Sequence, residues 1–180
     1  MQPVFTIQYA EFKTANYLSE KIKNCSIFIP SSAQEKGVDL LLYRYTNNQN
    51  KVLTVQVKMS RTYYGKKEKD HKYYLWFTRY DVPDNADWNV LVGIYPKVTI
   101  KPKGGTTVEW ATIMLAFTKA EMKLFMSNVK QKKDPTKDDK MFGFCFDDEN
   151  MIFQNRGCPI ERDMSNYLIK NRINEIDAQL

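Results

Sequence analysis

Apolar residues near the start of the chain recur every three to four positions, which is the spacing of an amphipathic helix. They predict a helix from about Phe5 to Lys23, and the residues that form its apolar stripe are Phe5, Tyr9, Phe12, Ala15, Leu18 and Ile22. A capping-box pattern, Thr118 followed by Glu121, predicts a second helix that ends near Lys130. A third helix is predicted over about Arg162 to Ile176, with an inner face of Tyr167, Leu168, Ile173 and Ile176.

Short apolar runs between these helices predict β-strands. The predicted strands cover Cys25–Pro30, Val38–Tyr45, Lys51–Lys58, Tyr73–Arg79, Trp88–Tyr95, Trp110–Phe117, Met141–Phe146 and Met151–Gln154. The charged stretches Arg61–Lys72 and Gln131–Lys140 are interpreted as loops, and the three tryptophans as core residues. With neither a repeat nor a linker in 180 residues, the pattern predicts one α/β domain over residues 1–180.

Composition removes several kinds of chemistry. The single histidine, His71, lies in a lysine-rich run and is interpreted as a loop residue, so a histidine metal triad is excluded. Three widely spaced cysteines fit no zinc pattern and no disulfide framework. Neither a Walker loop nor a dinucleotide motif is present, so we expect no small-molecule cofactor. No signal peptide or membrane-length segment is visible, and the expected location is the cytoplasm.

The formal net charge of +6, from 27 Lys and Arg against 21 Asp and Glu, is compatible with a polyanionic partner. The predicted hairpin between Val38 and Lys58 holds the candidate chemistry. If its loop runs from Asn47 to Asn50, Asp39 faces Lys58. If the loop runs from Thr46 to Gln49, Asp39 faces Gln56.

Both loops contain an even number of residues, so each side chain of the hairpin projects from the same face with either loop. Because side chains alternate across a strand, Asp39, Gln56 and Lys58 all project from one face. The opposite face is apolar and consists of Leu40, Leu42, Val55 and Val57. An ordinary cross-strand ion pair between Asp39 and Lys58 is the alternative interpretation.

The ordered set Gly37–Leu41 and Val55–Arg61 resembles the PD-(D/E)XK nuclease superfamily, which has the restriction-endonuclease-like fold. More narrowly, it resembles the branch with glutamine at the second acidic position, as in methyl-directed type IV restriction enzymes. Glu11, in the segment Ala10–Leu18, matches the glutamate that this branch supplies from its first helix, and Glu20 is the runner-up. The chain departs from the fuller superfamily pattern at Val38, which replaces proline, and at Gln56, which replaces an acid.

The resemblance implies a mixed central β-sheet flanked by helices and a Mg²⁺-dependent DNA endonuclease, with Mn²⁺ able to substitute. Asp39 and Glu11 would bind the metal with Gln56 and the backbone carbonyl of Val57, since Mg²⁺ prefers oxygen ligands. Lys58 would hold the attacking water and stabilise the charge that develops on the phosphate. A homodimer is expected because cleavage of both DNA strands needs two such sites.

The basic stretch after the triplet is interpreted as a DNA contact, with Arg61, Lys66 and Lys67 on phosphates and Tyr63 or Tyr64 on sugars or bases. A solvated charged loop is the alternative. Three other functions stay open: a nucleic-acid-binding protein of the same fold without catalysis, a resolvase for branched DNA, and an α/β protein with an accidental Asp–Lys pair.

Overall fold

The computed structural model describes residues 9–30, 36–65, 71–78, 80–100, 105–130 and 140–180. Three α-helices and nine strands occur in these ranges. In chain order they are α1 (Tyr9–Lys21), β1 (Ser26–Phe28), β2 (Leu40–Thr46), β3 (Gln49–Tyr64), β4 (Tyr73–Thr78), β5 (Trp88–Ile100), β6 (Thr106–Thr118), α2 (Lys119–Asn128), β7 (Met141–Phe146), β8 (Phe153–Arg156), β9 (Arg162–Asp163) and α3 (Ile169–Gln179).

The long strand β3 organises the sheet. Its first part pairs with β2 antiparallel and with β5 parallel, and its last residues, Thr62–Tyr64, pair antiparallel with β4. From β4 the sheet continues through β7 to β8 and β9, and β6 pairs with β5. The fold is therefore a single-domain α/β arrangement around a large, mostly antiparallel sheet. The pairing of β3 with β5 is the parallel one among the described strands.

Two hydrophobic cores lie on the two faces of the β2–β3–β5–β6 region. One core joins the apolar face of the hairpin to α1 and α3, through residues that include Leu18, Leu40, Leu42, Val55, Val57, Val90 and Ile176. The other joins β5 and β6 to β4, β7 and α2, through residues that include Leu75, Leu91, Phe117, Phe125, Phe142 and Phe144. Side-chain alternation places Gln56 and Lys58 on the side of the second core.

The hairpin between β2 and β3 closes with a two-residue turn. Asn47 and Asn48 both have positive φ, of 50° and 58°, and Thr46 pairs with Gln49. The four-residue loop from Asn47 to Asn50 is therefore wrong, because asparagine accepts the left-handed conformation that a tighter turn needs. In the observed register Leu40 pairs with Val55, so Asp39 lies opposite Gln56, and the predicted separation of polar and apolar faces is confirmed.

The ends of several predicted elements differ from the structure. Arg61–Tyr64 is not a loop but the end of β3, since its threonine and tyrosines pair with β4. The last helix begins at Ile169, after β9 and a short 3₁₀ turn over Ser165–Tyr167. On α1 the buried residues include Ala10 and Thr14, whereas Tyr9 and Phe12 are exposed. The capping box of Thr118 and Glu121 is confirmed.

The three tryptophans do not share one environment. Trp88 is buried, as predicted, but Trp76 is 40% exposed and Trp110 is 67% exposed. Of the helices that the structure describes, none has the length and apolar character needed to cross a membrane.

Candidate functional site

Asp39 lies where the chain enters β2. Gly37 makes this entry possible, because its φ of +91° is strained for residues with a side chain and a Cβ there would meet Pro83. The backbone N–H of Asp39 donates to the carbonyl of Val55 at 2.8 Å. Its carboxylate Oδ2 accepts a hydrogen bond from the backbone N–H of Val57 at 2.7 Å and another from the side-chain amide of Gln56.

Gln56 is 5% exposed and its amide lies between two oxygen atoms. The nitrogen Nε2 is hydrogen-bonded to Asp39 Oδ2 and lies 3.2 Å from the carbonyl oxygen of Val57. The carboxylate and the carbonyl therefore face a common point. With the amide turned over, its oxygen would join them there, and the donor set would consist of oxygens alone. Such a set suits a hard divalent cation such as Mg²⁺.

The charge on Asp39 is influenced by opposing neighbours. Burial raises the pKa of the carboxyl above its ordinary value, although the N–H of Val57, the positive charge of Lys58 and the amide of Gln56 act in the other direction. Lys58 itself is exposed, two residues along the same face from Gln56. Its charge is therefore close to Asp39 while its ammonium group stays accessible from solvent, which is the arrangement needed to meet an anionic substrate.

Tyr80 and Asn89 extend this cluster and were not found in the sequence. Asn89 pairs with Gln56 across β3 and β5, and its Oδ1 accepts a hydrogen bond of 2.5 Å from the Tyr80 hydroxyl. Burial and the charge of Asp39 raise the pKa of Tyr80, so the phenol stays protonated and continues to donate. The Nδ2 of Asn89 is buried without a hydrogen-bond partner in the described structure. Asn89 is a polar residue inside the apolar run Trp88–Val92, and this was the sequence feature that could have indicated it.

Glu11 approaches from the other side of the sheet. It lies half-buried in the first turn of α1, and that helix packs on the core that contains Leu40, Val55 and Val57. The face with Gln56 and Lys58 is the opposite one. The structure therefore brings Asp39, Gln56, Val57 and Lys58 together. The Glu11 carboxylate would have to reach the edge of β2 to join them.

The predicted DNA contacts divide between the two faces of β3. The side chains of Arg61 and Tyr63 project from the same face of β3 as Val57. Tyr64 projects from the face of Lys58 and packs near Tyr73. Lys66 and Lys67 lie outside the described residues.

Arg61 and Tyr63 belong to a row of four side chains that we call the aromatic–arginine row. Arg61 lies 5.3 Å from the Tyr63 ring centre, Tyr63 stacks on Trp76 at 4.5 Å with an angle of 21° between the rings, and Arg156 lies 5.4 Å from the centre of Trp76. Trp76 and Arg156 come from β4 and β8, so local sequence gave no signal for them.

The cluster around Asp39 lies at the start of β2, with Gln56 buried between β2 and β5 and Lys58 exposed beside it. A cavity of about 200 Å³ occurs elsewhere, lined by residues that include Tyr17, Met114 and Leu168. It contains none of the candidate residues. The exposed Lys58 is accessible to a large anionic partner, whereas a cavity suits a small ligand.

Comparison with known proteins finds no matching family, no similar curated protein and no similar solved structure.

Proposed function

We propose that the protein is a Mg²⁺-dependent DNA endonuclease with the restriction-endonuclease-like fold and that it acts in restriction or phage defence. The observation that carries the proposal is that the Asp39 carboxylate and the Val57 carbonyl both lie against the buried side-chain amide of Gln56. Lys58 lies beside them on the same face of β3, with its ammonium group exposed. An ordinary cross-strand ion pair would not require the buried amide and the carbonyl to face the carboxylate.

Each residue has a role that follows from its chemistry. Asp39 and the Val57 carbonyl hold the cation, and Gln56 either adds its amide oxygen or keeps the carboxylate in position. A bound Mg²⁺ would polarise the scissile phosphate and acidify a water molecule. Lys58 holds the attacking water and stabilises negative charge on the phosphate oxygens. Glu11 binds the cation directly or through water once its carboxylate reaches the edge of β2.

The aromatic–arginine row supports DNA as the partner. The two arginines offer phosphate contacts, and the exposed parts of the Tyr63 and Trp76 rings offer contacts to sugars or bases. Each chain carries one candidate metal site, the cluster around Asp39. Cleavage of both strands of a duplex therefore requires two copies, and we include a homodimer in the proposal.

The test is cleavage of plasmid and of single-stranded DNA in Mg²⁺ or Mn²⁺ by the wild type, Asp39→Asn and Lys58→Ala. Lys51→Ala is the matched control, since Lys51 lies at the other end of β3. Removing a metal ligand or the charge-stabilising group should slow cleavage by about 100-fold or more, while Lys51→Ala cleaves like the wild type. Absence of cleavage by the wild type in either metal, or equal cleavage by all variants, would overturn the proposal.

A nucleic-acid-binding protein of the same fold without catalysis is the second candidate. The observation that favours it is that the Asp39 carboxylate is already satisfied by Gln56 and Val57 without a cation, and that glutamine adds no negative charge. Calorimetry separates the candidates: DNA binding without heat of Mg²⁺ or Mn²⁺ binding supports the second one. Binding of metal that disappears in Asp39→Asn supports the nuclease.

A further inference from the structure

Three side chains that are far apart in sequence meet at the opposite end of β4 from Tyr80. His71 precedes β4, Cys145 lies in β7, and Glu161 precedes β9. One potential ligand atom from each of them lies within 4.8 Å of the other two. Cys145 is completely buried, whereas the side chains of His71 and Glu161 are 25% and 46% exposed. Sequence spacing gave no sign of this cluster.

The His71 ring is held in one orientation. Its Nδ1 lies 2.8 Å from Asp147 Oδ2, and the other Asp147 oxygen accepts the backbone N–H of Lys72 at 2.7 Å. Phe153 stacks on the ring with centres 5.4 Å apart. A carboxylate on one ring nitrogen favours the tautomer with the proton there, and it is the arrangement commonly found behind a metal-bound histidine. The other nitrogen, Nε2, is then free to act as a ligand.

Nε2 faces other electron-pair donors. It lies 3.4 Å from Glu161 Oε1, and the second oxygen of Glu161 lies 3.5 Å from Cys145 Sγ. An unprotonated nitrogen beside a carboxylate is repelled by it unless a cation lies between them. A second proton on His71 is one such cation, and a metal ion is the other.

We propose that His71, Cys145 and Glu161 bind a Zn²⁺-class divalent cation. Nitrogen, sulfur and oxygen ligands together favour zinc over Mg²⁺, which binds oxygen ligands. The Cys145 S–H bond breaks and an S–Zn bond forms, and the proton leaves to solvent. A water molecule would supply the fourth ligand. The ion links the start of β4, β7 and the chain before β9, and this role does not depend on the proposed nuclease activity.

The experiment uses the full chain after EDTA dialysis, with Zn²⁺ or Co²⁺ added and the excess removed by gel filtration. The wild type should retain one zinc per chain and gain thermal stability, because a ligand that binds the folded state raises the melting temperature. Cobalt should give a thiolate charge-transfer band. Cys145→Ser should lose that band, and Glu161→Gln should lose at least ten-fold in affinity. Cys25→Ser, which removes a half-exposed thiol, should behave like the wild type.

Absence of stoichiometric zinc in the wild type, or unchanged cobalt spectra in Cys145→Ser, would overturn the proposal. Glu161 is exposed, so Glu161→Gln stays folded even if the buried cysteine does not tolerate serine. Asp39→Asn should retain its zinc. That result separates this site from the cluster at the hairpin, and loss of zinc in Asp39→Asn would contradict the independence of the two sites.

Discussion

Asp39 must remain charged to bind a cation, yet it is partly removed from water. Burial raises the pKa of its carboxyl, and the hydrogen bonds from Val57 and Gln56 offset that effect only in part. The ionised form therefore costs folding free energy, as is common where a side chain is retained for chemistry and not for stability. At Asp39, the charge that metal binding requires therefore lowers the stability of the fold.

We predict that Asp39→Asn is at least as stable as the wild type at pH 7 in EDTA. The asparagine oxygen can still accept the Val57 N–H, but no buried charge remains. Since the pKa of Asp39 is higher in the folded than in the unfolded state, the wild type loses stability as pH rises through the folded pKa. The advantage of Asp39→Asn should be largest at neutral pH and vanish near pH 4, below which both proteins carry a neutral side chain.

Urea unfolding between pH 4 and pH 8 measures this difference. Asp84→Asn is a suitable control, because Asp84 is exposed and its pKa is lowered by Lys123. Asp84→Asn should lose the stabilisation that this ion pair provides, and its free energy of unfolding should not exceed that of the wild type at any pH. An Asp39→Asn protein that is less stable than the wild type at every pH would show that the charge of Asp39 stabilises the fold.

The sequence predicted the residues of the hairpin cluster but not Tyr80 and Asn89, which extend it. Asp39, Gln56 and Lys58 follow from strand alternation alone, which is a local rule. Asn89 lies beside Gln56 because β3 pairs in parallel with β5, and that pairing brings together residues more than thirty positions apart. No local pattern encodes such a pairing.

At the level of elements, the β2–β3 turn shows what sequence reasoning can and cannot provide. The run of asparagines predicted a turn, but the number of loop residues was two and not four. The even length mattered more than the exact length, because parity decides which side chains face the core. The length of β3 was underestimated, since Arg61 and the following residues appear as a basic loop until their pairing with β4 is seen.

We predict opposite effects of two substitutions at Asn48. Its φ of 58° lies in the left-handed region, where glycine is relaxed and β-branched residues are strained. Asn48→Gly should raise the free energy of unfolding by about 0.5 kcal/mol, and Asn48→Val should lower it by about 1–2 kcal/mol. Gln49→Val, one residue later at an extended position, should be nearly neutral. Urea titration gives all three values, and a stable Asn48→Val would contradict the two-residue turn.

On the scale of the whole molecule, the two cores explain why the candidate sites lie where they do. The hairpin cluster forms where β2 begins beside β3, outside the core under α1. The His71 cluster forms at the opposite end of β4, where the residues before β4 and before β9 lie close to Cys145 of β7. At both places polar side chains meet beside an apolar core without interrupting it. Composition alone suggested neither position.

The net charge of +6 describes the whole chain, but DNA affinity depends on where the cations lie. If the aromatic–arginine row contacts DNA, each arginine that binds a phosphate releases counterions. The logarithm of the binding constant should then fall linearly with the logarithm of salt concentration, with a slope of about −0.9 per contact for duplex DNA. Affinity should therefore drop steeply between low and moderate salt.

We predict that Arg61→Gln and Arg156→Gln each reduce the magnitude of that slope by about one unit. Trp76→Ala should instead weaken binding to single-stranded DNA at every salt concentration, because it removes a partly exposed aromatic ring and no charge. Fluorescence anisotropy in EDTA measures all of these without cleavage. Lys21→Gln removes an equal charge at the end of α1 and should leave the slope unchanged. If Lys21→Gln and Arg156→Gln change the slope equally, binding reflects total charge and the row has no special role.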